Sequence, residues 1–168
     1  MDNLFLNKLM KSKHKRSVIW GVPIKTKGKI DENSKKVEVI IQKILSNQKL
    51  TENETLLLKN RVLGNWTISE TNVDETKYLI AIYYYLKKQT IIAIYEVNSS
   101  NKEEVPIIVD SDKKKNFTMT EKNNGKRRFR WTDGQSLPSI LNVKNCYVGQ
   151  TIENLHNTFN HPQRLIFK

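Results

Sequence analysis

Two runs dense in β-branched and aromatic residues, 78–86 and 90–97, stand out along an otherwise mixed chain, joined by the polar Lys87-Lys88-Gln89. Ile, Val and Tyr at this density fit the pleated, half-buried surface of a strand, so the stretch predicts a β-hairpin at the centre of a sheet. The joint holds no Asn-Gly or Asp-Gly, so turn chemistry leaves the register open. Upstream the apolar period changes. Val37, Ile40, Ile41, Ile44 and Leu45 fall at helical spacing and form one stripe, with Lys35, Lys36, Glu38, Gln42 and Lys43 opposite. Asn33 or Ser34 is the expected cap. A second helix is predicted from Thr51-Glu52-Asn53-Glu54, where a hydroxyl precedes a glutamate by three residues, the capping-box spacing. Leu56, Leu57, Val62 and Leu63 are its expected buried side, and Gly64 its left-handed end.

Around these elements the pattern is more broken. Residues 1–16 place an apolar patch (Leu4, Phe5, Leu6, Leu9, Met10) before a basic cluster of Lys11, Lys13, His14, Lys15 and Arg16. That is either a short amphipathic helix with a basic end or an arm that orders on a phosphate backbone. Residues 18–24 read as a short strand, with Pro23 confining it to an edge or ending it. Residues 70–77 allow one or two helical turns. After the hairpin, 105–109 and 117–120 read as brief strands, and Asn123-Asn124-Gly125 is a turn signal that launches residues 126–131. Residues 137–141 suit one helical turn, 147–149 recover the sheet, and 164–167 read as a closing strand. Short sequential strands of this kind predict an α+β fold, with a small curved β-barrel over residues 65–168. A basic arm and two short helices, residues 1–64, precede it.

Charge narrows the partners. The 168 residues carry a formal net charge of +12, an excess that favours polyanions, nucleic acid before membrane or acidic protein. A chain rich in Asn, Lys and Ile can also carry such charge as a solvated face. The single cysteine, Cys146, permits neither a disulfide framework nor a thiolate metal site, and reads as a small core residue. No apolar run reaches the roughly 18 residues of a membrane span, and no signal peptide is recognisable. The expectation is a cytoplasmic protein with no membrane partner.

Catalytic patterns are missing from the chain. The histidines are His14, His156 and His161, without HExxH spacing, and there is no CxxC, Walker A loop or nucleophile elbow. Tyr147-Val148-Gly149 looks like the second half of the GIY-YIG nuclease signature, with Ile94-Tyr95 or Ile82-Tyr83 as a first half. In that family the halves lie close together, with an arginine and a metal-binding glutamate on helices well downstream. Here they are far apart, and only Glu153 and Arg164 follow. No catalytic residue, metal ligand or cofactor is therefore assigned.

Binding chemistry is better represented. Residues 126–131 read Lys-Arg-Arg-Phe-Arg-Trp, and strand alternation sets Arg128 and Arg130 against Phe129 and Trp131. Guanidinium forks grip phosphates, and an exposed ring stacks on a base. Phe129 reads as core, while Trp131, beside Asp133-Gly134, and Trp66 either line a pocket for a flat ring or close the fold.

The order of these segments resembles the PUA-like superfamily, in a branch of bacterial and phage domains akin to the EVE and YTH groups. The carriers are Trp66, Ile94-Tyr95-Glu96-Val97, Arg128-Phe129-Arg130-Trp131, Tyr147-Val148-Gly149-Gln150 and His161-Pro162-Gln163-Arg164. Gln150 and His161 depart from the lysine and asparagine usual there, and residues 1–64 lie outside the resemblance. It implies a non-enzymatic nucleic-acid-binding barrel that reads a modified or flipped base in an aromatic pocket, in restriction/defence or anti-defence systems. DNA is the expected partner ahead of RNA. Trp66 and Trp131 become cage walls, Asn65, Ser69 and Asp133 edge readers, and Lys126, Arg127, Arg128 and Arg130 phosphate contacts. Outside the resemblance, Lys13, Lys15 and Arg16 of the basic arm are further expected phosphate contacts. The other class of reading is a protein-interaction module or inhibitor that turns its basic face to an acidic partner.

Overall fold

The apolar runs of residues 78–97 form a hairpin of β2 (Tyr78–Tyr85) and β3 (Lys88–Glu96), in a computed structural model that describes residues 19–25, 32–105, 128–153 and 162–165. The turn is tighter than the polar joint suggests. Leu86 and Lys87 occupy it, both with positive φ (49° and 63°), and Tyr85 pairs with Lys88. Leucine and lysine rarely adopt that conformation, so no turn signal marked it. Between the pairs Ala81↔Ala93 and Ile82↔Ile91 the register shifts, leaving Ile92 as an extra residue in β3. This bulge sends Ile92 and Ala93 to one apolar layer while Ile91 and Ile94 serve the other.

β1 (Ile19–Ile24) pairs with β2 in parallel, which demands a long crossover. That crossover is α1 (Glu32–Leu45), α2 (Glu52–Leu63) and the short α3 (Glu70–Glu75). The strands β4 (Lys102–Glu104), β5 (Phe129–Trp131), β6 (Gln135–Leu137) and β7 (Gln163–Arg164) complete the described set. The main sheet runs β6-β3-β2-β1-β7, and β4 and β5 form a separate two-stranded ribbon. Across the described residues this sheet is open, with β6 and β7 at its margins. The expected closure into a barrel is not present there: β6 pairs with β3 and β7 with β1, and the two margins do not pair with each other. β7 meets β1 at Trp20↔Arg164 and Gly21↔Gln163, with a further bond from the Leu165 N–H to the Ile19 carbonyl. Pro23 lies beyond those two pairs, so its missing N–H interrupts no ladder on that side although β1 is an interior strand.

Both faces of the sheet are covered. On one, Val37, Ile40 and Ile41 of α1 and Leu58, Val62 and Leu63 of α2 pack with Trp20, Val22, Leu79, Tyr83, Tyr95, Phe129 and Trp131. β1, α1 and α2 therefore share one core with β2, β3 and β5. On the other face, the 137–152 segment lays Ile140 and Cys146 over Ile80, Ile82, Ile91 and Ile94. It does so as β6, turns and isolated bridges, not as the helical turn expected over 137–141.

Helix ends show where local chemistry decided the outcome. Thr51 Oγ1 accepts from the Glu54 N–H (3.2 Å) and Glu54 Oε2 from the Thr51 N–H (2.9 Å), the complete capping box. α1 begins earlier than Asn33 or Ser34 would have it. At the end of α2, Gly64 is extended (φ −116°) and Asn65 takes the left-handed conformation (φ 60°) instead. Leu58, not Leu56, turns inward in the run of three leucines. Among the described residues no helix is long and apolar enough to cross a membrane.

Candidate functional site

Strand alternation in β5 has the expected sense. Phe129 and Trp131 point into the core, each 2 % exposed, and Arg128 and Arg130 face outward, half-buried. Each guanidinium is held within the fold. Arg130 Nη2 donates to Glu103 Oε1 at 2.7 Å across the ribbon, where the two residues are register partners. Arg128 Nη1 donates to the Asn65 carbonyl at 3.3 Å, and burial pushes its pKa down. Their cationic face is thus built into the ribbon root, leaving each guanidinium with only part of its five donors for an outside anion.

Trp66 meets this strand directly. It forms an isolated antiparallel bridge with Phe129 and is half-buried, its indole Nε1 donating to the Val62 carbonyl at 2.8 Å. Trp131 takes a different place. Sharing the inward face with Phe129, it is sealed in the core, with its Nε1 buried and unpartnered. The two tryptophans therefore do not stand as opposed walls of an open cage, and of the pair only Trp66 reaches solvent.

The expected edge readers have structural work. Asn65 is buried and makes the left-handed exit from α2. Ser69 caps α3, its hydroxyl accepting from the Asn72 N–H at 3.3 Å. Asp133 accepts from Lys59 Nζ at 2.6 Å and from the Gly134 N–H at 2.8 Å, and these bonds, the lysine's first, hold its carboxyl below the ordinary range. Lys126, Arg127, Lys13, Lys15 and Arg16 lie outside the described residues.

Two arrangements were not foreseen. At the ribbon root, Lys102 Nζ pairs with Asp74 and with Glu70 (3.2 Å), tying β4 to α3 and raising the lysine pKa. At the other extreme of the sheet, the hairpin tip exposes Leu86 by 75 % and Tyr84 by 50 %, flanked by the exposed Lys87 and Lys88. A lysine pair after an apolar run was visible in the sequence, but not that Leu86 heads the turn. Burial pushes the Cys146 thiol up to about 11, against the thiolate. No cluster of three or more His, Cys, Asp or Glu fit to hold a metal occurs among the described residues.

Comparison with known proteins finds no family model that matches the chain, and no matching curated protein or solved structure.

Proposed function

We propose that the chain is a non-enzymatic nucleic-acid-binding protein, PUA-like in the order of its segments, that grips the phosphate backbone first and reads bases second. The observation that carries this is where the positive charge lies. Residues 32–105, which build the helices, hairpin and β4, hold as many acidic as basic side chains. The excess comes largely from residues 8–16 and 113–127, which lead into β1 and β5. A balanced scaffold with concentrated cationic segments suits counterion release from a polyanion, an effect that needs local charge density more than a pocket. Arg128 and Arg130 extend the second segment onto the ribbon, and Trp66 beside them is the side chain available to stack on a base. A base cage between Trp66 and Trp131 does not form part of this proposal, because Trp131 is in the core.

The reading is tested by neutralising each segment: Lys13, Lys15 and Arg16 to Gln in one variant, Lys126 and Arg127 to Gln in another. Binding to DNA, measured by fluorescence anisotropy across a salt series, gives a slope of log K against log salt. Removing one cation that holds a phosphate lowers that slope by about 1. Slopes unchanged in both variants would remove the basis for the proposal.

A further inference from the structure

The hairpin tip is built like a wedge. β1 accompanies β2 only as far as Ile24↔Tyr83, and on the other side Ile152 N–H donates to the Gln89 carbonyl at the last shared position of β3. Past Tyr83 and Gln89, residues 85–88 therefore extend beyond the described pairing on both sides, one residue pair and a turn, on the order of 7 Å at strand rise. Pairing of Tyr84 with Gln89 and Tyr85 with Lys88 keeps the projection in register to its end. At the apex sits Leu86, 75 % exposed, in a left-handed conformation that Asn or Gly would occupy with less strain. The next two residues are lysines, exposed and without a salt bridge among the described residues. Glu153 follows the Ile152–Gln89 bond on the adjoining segment and forms no ion pair with them among the described residues.

Resting on the nucleic-acid reading above, we infer that this tip is a second contact for duplex DNA, in which Leu86 inserts at a base step from the minor groove while Lys87 and Lys88 hold the flanking phosphates. A base step accepts one apolar side chain, and unstacking it bends the duplex. The tip offers that shape: one leucine at the summit of a narrow, registered hairpin, with cations immediately beside it. An anionic membrane would be better served by a broad apolar face than by a single leucine over one half-exposed tyrosine. The lysines also supply charge complementarity that an apolar protein groove would not use.

The test compares full-length protein with Leu86→Asn, which keeps both lysines and suits positive φ, so the variant folds and its Tm stays level or rises by a few degrees. Duplex DNA carrying a fluorescent base analogue reports unstacking, and donor and acceptor dyes at the duplex ends report bending. The expected result is unstacking and bending by the parent and at least a tenfold loss of both in Leu86→Asn. The salt slope should be unchanged in that variant and lowered by about 2 in Lys87→Gln/Lys88→Gln. Duplex binding with equal unstacking by parent and Leu86→Asn overturns the wedge alone. No duplex binding by the parent overturns the wedge, and if the parent binds neither single-stranded DNA nor RNA, the nucleic-acid reading is overturned with it. Leu86-dependent flotation with mixed phosphatidylcholine and phosphatidylserine vesicles, without DNA bending, also overturns it and assigns the tip to a lipid surface.

Discussion

Trp66 and Phe129 exchange backbone hydrogen bonds across an isolated bridge, Trp66 N–H to Phe129 O at 2.9 Å and Phe129 N–H to Trp66 O at 3.0 Å. This pairing clamps the exit of α2 to the first residue of β5, so the cationic ribbon is fastened to the core at a fixed point.

Phe129 supplies the buried half of that clamp. Phe129→Ala removes a fully packed ring and is expected to cost about 3–5 kcal/mol, read from urea denaturation. Trp66→Phe keeps the bridge and loses only the indole bond to Val62, so it should cost about 1 kcal/mol. Trp66→Ala should weaken nucleic-acid binding further than Trp66→Phe does, because only the alanine variant lacks a ring to stack.

The capping box of α2 makes a local prediction. Thr51→Ala should destabilise by about 0.5–2 kcal/mol, measured by thermal unfolding. Glu54, held low by its bonds to Lys43 and Thr51, contributes above its ordinary pKa of 4.5, and that contribution is lost as pH falls through the lowered value.

Alkaline pH should weaken the fold through two buried acids. Burial raises Cys146 from 9.0 to about 11 and Tyr95 from 10.0 to about 12. Between pH 9 and 12 the unfolded chain therefore binds fewer protons than the folded one, and stability falls as pH rises. The expected slope is on the order of 1 kcal/mol per pH unit, and Tyr95→Phe should flatten its upper part in denaturation curves taken across that window. Native Cys146 should also resist iodoacetamide at neutral pH until the protein is unfolded.

Glycine substitutions separate crowding from strain. A Cβ at Gly134 would meet Leu63 Cδ2 at 3.2 Å and the Glu96 carbonyl at 3.3 Å, so Gly134→Ala should cost about 1–3 kcal/mol. At Gly149 nothing lies within 4 Å but φ is +94°, so Gly149→Ala should destabilise by backbone strain alone, about 1 kcal/mol or more. Calorimetry on the two variants gives both values.

What the sequence made legible was what local chemistry controls. The hairpin, the Val37, Ile40, Ile41 and Ile44 part of the α1 stripe, the Thr51–Glu54 box and the alternation of Arg128 and Arg130 against Phe129 and Trp131 all follow from spacing, and the structure has them. Leu45, at the end of the expected stripe, is exposed. Less legible were choices made by long-range packing. Leu56-Leu57-Leu58 has no period of its own, and only the sheet beneath selects Leu58. Gly64 was the natural left-handed stop, yet Asn65 takes that role as the chain turns to bridge Phe129. The alternation put Trp131 on one face with Phe129, but only the helices packed there show that this face is core. The open sheet depends on 163–164 finding β1, a pairing no local signal encodes. Leu86 at the turn went unmarked because its residue type is wrong for its conformation.

The most direct measurement is binding of the full chain to single- and double-stranded DNA and to RNA, plain and base-modified, at low and physiological salt, with magnesium and a cleavage readout. The account predicts DNA binding that persists at physiological salt, a steep linear fall of log K with log salt, and intact nucleic acid throughout. Binding that is absent at physiological salt, or strand cleavage that requires magnesium, would contradict it.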